Sequence, residues 1–501
     1  MSSTNWQQWD IRLLTVLASL ALSGFAVAFA SLPNDDAYTY IRTAEIFLEH
    51  GVGAAISHYT WAGYPILIGL VSLLGLSLFT SAYVLNAIFF AILAYAFISI
   101  VRHLDDSNRV AWLAALTVLA YPELNEYRDM VLRDIGFWAM LLLALWRFMV
   151  FVDTRQFSHS VFFVLAMIGA MLFRAEAVIY LVAIPFALFL QSDRNTQENR
   201  RDFLKLAGFI CGVGILVFLV LLAAGINLFL LILELLRIYQ PFLISLFNPD
   251  EAVTAARANA IFGEYAGIFS QEYVSAVIAI GLSVVLVMTL FYTIGGPFFW
   301  LLAFGLMRKH IRWHSAKVVP ILAVLLANLL ILVVFLYITK FLTGRYALVF
   351  GLMAATLVPF LVSSIIERNR GGKWEQLSTY FLILFFFYCL IDSYVSFGRS
   401  KDWLLDASGY VELQAEPDTQ VLTNNHTIAY FSGRVENYDV IVRELKAQDV
   451  LDVAPGTIVA LEMYYEMSLM VEQAPVKASL QLLQQFPSAD QPQIAIYRRV
   501  N

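Results

Sequence analysis

Stretches of roughly twenty nearly uncharged residues, the length a helix needs to cross the hydrocarbon core of a bilayer, recur along this chain between residues 13 and 394. A water-soluble domain has no core large enough to bury them all. Charged residues make up only 14% of the 501 positions and hydrophobic ones 60%, against roughly 25% and 45–50% in soluble domains. This excludes an ordinary soluble enzyme and a disordered chain. Cys211 and Cys389 are the only cysteines and both lie in apolar runs, so they read as small buried hydrophobes and not as a disulfide or metal framework. A net charge of −6 offers nucleic acid no basic surface. The chain reads as a polytopic α-helical membrane protein.

The apolar runs fall near 13–32, 80–101, 110–121, 135–151, 160–173, 178–190, 206–223, 291–307, 318–337, 346–363 and 378–394, which predicts about eleven transmembrane helices. Pro33 closes the first run, which is long for a signal peptide and reads as a retained span. The run 64–79 is short, and charge decides its role. If it lies in the interface, Arg12, Arg102, Arg109, Arg155, Arg194, Arg200, Arg201, Lys205, Arg308, Lys309, Arg312, Lys317, Arg368, Arg370 and Lys373 share one side, against eight basic residues on the short loops opposite. The positive-inside rule makes that side cytoplasmic, with the N-terminus on it. The other side then holds loops 33–63, 122–134 and 224–275 and a polar tail, 395–501. Strand-like runs at 420–423, 457–462 and 493–497 and a helical pattern over 439–448 predict a small α/β domain for the tail. Two domains follow, 1–394 in the membrane and 395–501 outside it on the non-cytoplasmic side.

Charge is scarce, and much of what does not guard the cytoplasmic loops sits at the outer ends of the helices. Loop one carries Asp35 and Asp36, followed by Tyr38 and Arg42 at roughly helical spacing, which predicts a juxtamembrane amphipathic helix. One of the two aspartates is expected to cap this helix and the other to face a cavity. Loop two carries Glu126, Arg128, Asp129, Arg133 and Asp134. If helical, it places Glu126, Asp129 and Arg133 on one face. Arg174-Ala175-Glu176 interrupts an apolar stretch and reads as an ion pair at a turn or as an anion contact. Lys340, Arg345 and Tyr346 open a late span, where cations beside a helix start suit an anion. Arg257 adds a cation in loop three, and Gly295-Gly296-Pro297 reads as a helix break.

The order of these pieces resembles the GT-C superfamily of lipid-dependent glycosyltransferases, nearest the bacterial relatives of protein O-mannosyltransferases and of the lipid A aminoarabinose transferase. The resemblance rests on Asp35-Asp36-Ala37-Tyr38, Trp61-Ala62-Gly63-Tyr64-Pro65, Arg128-Asp129 to Asp134, Arg174-Ala175-Glu176 and Thr343-Gly344-Arg345-Tyr346. It is completed by Thr423-Asn424-Asn425-His426 to Gly433-Arg434 in the tail. It implies an inverting transfer of a sugar from a polyprenyl (undecaprenyl) phosphate to a glycolipid, glycan or protein acceptor. Asp35 or Asp36 would be the base and Asp129 would position the acceptor, with Glu126, Arg128, Tyr38 and Tyr346 around them. Arg345, Lys340, Arg257 and Arg174 would hold the donor phosphate. Where many relatives have Asp-Glu this chain has Asp35-Asp36, and no cluster at metal-ligand spacing supports a divalent ion, so no cofactor beyond the donor is assigned. A transporter or flippase would instead place ionisable groups at span centres, where Arg147 and Arg174 are the exceptions. A non-catalytic scaffold would use the acidic loops as caps alone.

Overall fold

The computed structural model describes the chain except residues 1–9, 31, 192–194, 224, 226–227, 248–250, 309–314, 396–400, 416–418 and 501. Of the basic residues invoked for orientation, Arg194, Lys309 and Arg312 lie outside the described residues. Eight helices among the described residues are long and apolar enough to cross a membrane: Ile11–Phe29, Leu78–Leu104, Arg133–Thr154, Thr196–Ala223, Gln271–Ile294, Ala316–Thr339, Gly344–Asn369 and Glu375–Tyr394. The chain is a multi-pass membrane protein.

Four of the expected runs form shorter apolar helices, Asn108–Leu119, Phe157–Met171, Ala177–Leu190 and Gly296–Met307. The third of these tightens from α-helix to 3-10 at Ile184–Leu190, where Pro185 enters the first turn. Loop three is largely helical, with Leu228–Phe247 and Glu251–Phe262 inside 224–275 and Val274–Ile294 starting at its end. Scattered Glu234, Arg237 and Gln240 masked the first of them. The expected span 291–307 straddles a real break: Gly295 has φ +85 between Val274–Ile294 and the helix Gly296–Met307, a conformation that costs glycine least. Cys389 is buried as expected, but Cys211 is exposed, on a helix most of whose surface faces outward.

The chain divides into two compact units, interleaved in sequence. One comprises Met1–Gly24, Asn86–Arg128 and Arg133–Val395; the other comprises Phe25–Leu85, Asp129–Leu132 and Ser396–Asn501. The first unit is helical. The helix Arg133–Thr154 is buried on most sides, with Trp138 and Phe148 among its largest enclosed side chains.

In the second unit the helix Asp35–His58 starts at the acidic pair and kinks at Gly51, φ +83, again where glycine is least strained. The run 64–79 contributes only the ten-residue helix Gly63–Ser72, with Tyr64, Pro65, Ile68 and Gly69 buried, too short to cross a membrane. The tail forms a four-stranded mixed sheet in the order β1-β2-β4-β3, where β1 is Val421–Thr423, β2 Ile458–Glu462, β3 Leu480–Phe486 and β4 Ile494–Arg499. β1 runs parallel to β2, and β4 is antiparallel to both β2 and β3. Alternation along β2 supplies two cores, since Ile458 and Ala460 pack with the helix Trp403–Gln414 and Val459 and Leu461 pack with Met467 and Val476. Three strands fall where expected. β3 is an addition, because its outward glutamines hide the pattern. The helix expected over 439–448 is replaced by a short one at Ala447–Leu451.

Candidate active site

Asn34, and neither aspartate, occupies the N-cap position of the helix Asp35–His58. Its side chain makes no capping bond. Its amide nitrogen instead donates to the Val131 carbonyl at 3.2 Å while its amide oxygen accepts from the Val131 N–H at 2.7 Å. This amide-to-backbone clasp fixes segment 129–132 beside the helix start. Asp35 and Asp36 fill the first helical turn, where the macrodipole favours negative charge. The expectation that one of them is the cap is therefore corrected.

The clasp brings Asp35 and Asp129 to the wall of one cavity of about 660 Å³ within the second unit. Asn424, Asn425, His426, Arg443 and Glu462 from the tail line it as well. Asp35 is exposed to this space, whereas Asp36 is half-buried and is not among the lining groups. Burial raises the Asp129 carboxyl above the usual carboxylate range, against the lowering effect of a backbone hydrogen bond. Tyr38 does not reach the cavity. It is fully buried, donates to Thr427 Oγ1 at 3.0 Å and stacks on His426 with ring centroids 5.7 Å apart.

Loop two is not one helix. A single turn, Pro122–Asn125, ends before Glu126, and helix resumes at Arg133, so Glu126, Asp129 and Arg133 share no helical face. Glu126 accepts from the Tyr292 hydroxyl at 3.2 Å. Arg128, expected on the acceptor side, is 1% exposed and committed to its own chain. Its guanidinium donates to Asn125 Oδ1 at 2.7 Å and Ser23 Oγ at 2.7 Å and lies 4.4 Å from the Phe90 ring. It locks the loop.

In the first unit Arg174 is buried and donates to Asp134 and to Glu176, the latter at 2.6 Å, with its guanidinium 4.4 Å from the Tyr346 ring. Burial alone would raise the Glu176 carboxyl, yet the Arg174 charge and hydrogen bond hold it down at about 2. Two carboxylates thus consume Arg174. The ion-pair reading of this motif is the one the geometry carries, and Arg174 has little left for a phosphate. Arg345, in the first turn of the helix Gly344–Ala355, lines a small cleft with Arg174, Glu176 and Tyr346. An apolar cavity of about 300 Å³ shares Glu176, Ile331 and Phe335 with that cleft. Lys340 has φ +60 and turns its ammonium back onto the Tyr337 carbonyl. Its pKa is lowered by burial and by the Arg257 charge, so those two cations feel one another. Among the described residues no three His, Cys, Asp or Glu side chains converge as a metal site.

The two ionisable groups that a transporter reading would need are accounted for locally. Arg147 stacks on Trp146 at 4.0 Å, and Arg174 is the ion pair above.

Two groups escaped the reading of the sequence. Glu123 is half-buried against Gly295 and its carboxyl is raised to about 7, by burial first and then by the Glu126 and Asp392 charges. The sequence offers His426 only as part of the tail motif Thr423-Asn424-Asn425-His426. Nothing in a single sequence announces a carboxylate that faces a glycine 172 positions away.

No family model and no curated protein sequence matches the chain. Solved structures do. The oligosaccharyltransferase of Archaeoglobus fulgidus, crystallised with zinc and sulfate, matches 98% of this chain and 73% of its own at a TM-score of 0.54 and 13% identity. The archaeal oligosaccharyltransferase AglB of the same organism, in complex with an inhibitory peptide and a dolichol phosphate, matches 95% and 73% at 0.54 and 12% identity. ArnT of Cupriavidus metallidurans in the apo state matches 97% of each chain at a TM-score of 0.40 and 12% identity. Over nearly its whole length, the chain shares the fold of these two archaeal oligosaccharyltransferase structures.

Proposed function

We propose that the protein is an inverting glycosyltransferase that moves a sugar from a polyprenyl phosphate to an acceptor at the outer face of a bacterial inner membrane. The observation that carries this reading is the joint presence of Asp35 and Asp129 on one large polar cavity. An oligosaccharyltransferase with the same fold, seen with a dolichol phosphate, supports a lipid-linked donor; undecaprenyl phosphate is the bacterial counterpart proposed here. The chain is read as crossing the membrane about eleven times, with the N-terminus cytoplasmic and residues 395–501 forming the periplasmic part.

In this mechanism the acceptor oxygen attacks the anomeric carbon, the bond from that carbon to the phosphate oxygen breaks, and polyprenyl phosphate leaves with the electron pair. Asp35 takes the acceptor's proton as general base. Asp129 accepts a hydrogen bond that orients the acceptor. The family resemblance assigns the charge that develops on the departing phosphate to Arg345, with Lys340 and Arg257 as further cations. The adjoining apolar cavity takes the first isoprene units of the donor. Arg174 holds the Tyr346 ring and the cleft in shape.

The test is sugar transfer from a radiolabelled polyprenyl-phosphate sugar to envelope extract in proteoliposomes. Transfer by the wild type, lost in Asp35→Asn, is the expected result. Full activity in Asp35→Asn and Asp129→Asn alike would remove the proposed base.

A further inference from the structure

The tail contributes to the same cavity a histidine that is constrained in every direction but one. His426 Nδ1 lies 2.9 Å from the Tyr438 carbonyl oxygen. A carbonyl only accepts, so Nδ1 carries the proton and, in the neutral ring, Nε2 carries the lone pair. One face of the imidazole is stacked on Tyr38 at an interplanar angle of 8°, and Tyr38 is itself buried and bonded to Thr427. The backbone beneath is held as well. Asn425 caps the helix His426–Phe431 by accepting from the Ile428 N–H at 3.1 Å, and its amide nitrogen donates to Glu462 Oε2 at 2.9 Å. Tyr438 is anchored in turn by its hydroxyl, which donates to Glu45 at 2.9 Å. A histidine serving only as packing has no need of a fixed tautomer, a stacked face and a capped backbone on a cavity wall, whereas a ligand-binding one does.

We propose that His426 Nε2 is an acceptor-binding group: it receives a hydrogen bond from a hydroxyl of the acceptor and so turns the attacking oxygen toward Asp35. The acceptor class this selects is a polyhydroxylated glycan or glycolipid headgroup, a molecule that donates through one hydroxyl while another is deprotonated. This proposal rests on the glycosyl-transfer reading above.

Two substitutions separate recognition from scaffolding. His426→Asn keeps a donor for the Tyr438 carbonyl and removes the acceptor at the Nε2 position. His426→Gln sets an amide oxygen near Nε2 and gives up the bond to Tyr438. Transfer is measured against increasing amounts of total glycolipid and glycan extract from envelopes of cells lacking the protein. The expected result is that His426→Asn raises the extract concentration for half-maximal transfer about tenfold, the size of one lost hydrogen bond, at an unchanged half-saturating donor concentration. His426→Gln should fall nearer the wild type. The reverse order, with His426→Asn like the wild type and His426→Gln impaired, would mean that only the Tyr438 bond matters and would overturn the proposal.

A second measurement does not depend on turnover. Diethyl pyrocarbonate attacks an unprotonated imidazole nitrogen, and peptide mass spectrometry of the full-length protein in detergent reads His426 directly. Labelling that the same extract suppresses supports an acceptor-facing Nε2. Absence of labelling, or labelling that the extract leaves untouched, overturns it. A wild type that transfers no sugar would count against the glycosyltransferase reading, and the labelling would still decide the role of His426.

Discussion

Asn34 grips Val131 by both backbone groups, donating to its carbonyl at 3.2 Å and accepting from its N–H at 2.7 Å. A side chain that ordinarily caps the helix it precedes has been diverted to another loop. The helix start then relies on Asp35 and Asp36 for electrostatic stabilisation, and Asp35 and Asp129 meet at one cavity.

Replacing Asn34 with alanine removes both bonds while leaving each aspartate in place. Misplacement of a positioned group by about 1 Å costs on the order of 100-fold in rate. Asn34→Ala should therefore lower the transfer rate by roughly 10- to 100-fold, with a folded protein by size-exclusion chromatography. Wild-type rates would show that the clasp does not position the carboxylates.

The two adjacent aspartates should behave differently. Loss of a general base typically costs about 10²–10⁴-fold, so Asp35→Asn should lose that much turnover in the transfer assay. Asp36→Asn, on a half-buried side chain off the cavity wall, should lose less than about tenfold. Equal losses would refute the assignment of Asp35 over Asp36.

Asp129 supplies a pH signature. Its carboxyl is raised by burial, so an activity that needs it ionised falls on the acid side at a pH above the usual aspartate value of about 3.9. In Asp129→Asn this acid limb should vanish or shift, and turnover at neutral pH should also drop. A pH–rate profile of both proteins reads the outcome.

Arg174 and Arg345 line the same cleft but should fail in different ways. Arg174→Ala leaves Asp134 and Glu176 without their cation and should destabilise the protein by roughly 3–5 kcal/mol, the usual cost of breaking a buried pair, seen as a lower midpoint of thermal unfolding in detergent. Arg345→Ala should leave that midpoint nearly unchanged and raise the half-saturating donor concentration by about 10- to 100-fold, as loss of a charged hydrogen bond predicts.

Glu123 links stability to pH. Its folded pKa of about 7 lies above the ordinary glutamate value of 4.5, so the unfolded chain releases this proton first as pH rises. Its contribution to stability is therefore lost between about pH 4.5 and 7. Glu123→Gln should be neutral at pH 5 and stabilising by roughly 1–3 kcal/mol at pH 8. Thermal unfolding at the two pH values measures the difference.

Much of this was legible in the sequence because the membrane imposes a length and a polarity on each segment. The recurring apolar runs announce a multi-pass helical chain, and period-two patterns disclose three of the four tail strands. The scarcity of charge directs attention to the loops that carry Asp35, Asp129 and Arg345. Those are statements about one segment at a time, and the solvent around each segment decides them. Which charges meet is another matter. That Arg174 is spent on Asp134 and Glu176, that Arg128 is buried on Ser23, that Asn34 clasps Val131, and that His426 joins Asp35 at one cavity all depend on backbone brought together from distant positions. Only tertiary packing sets those distances, and a carboxylate or guanidinium acquires its role from the partner it meets.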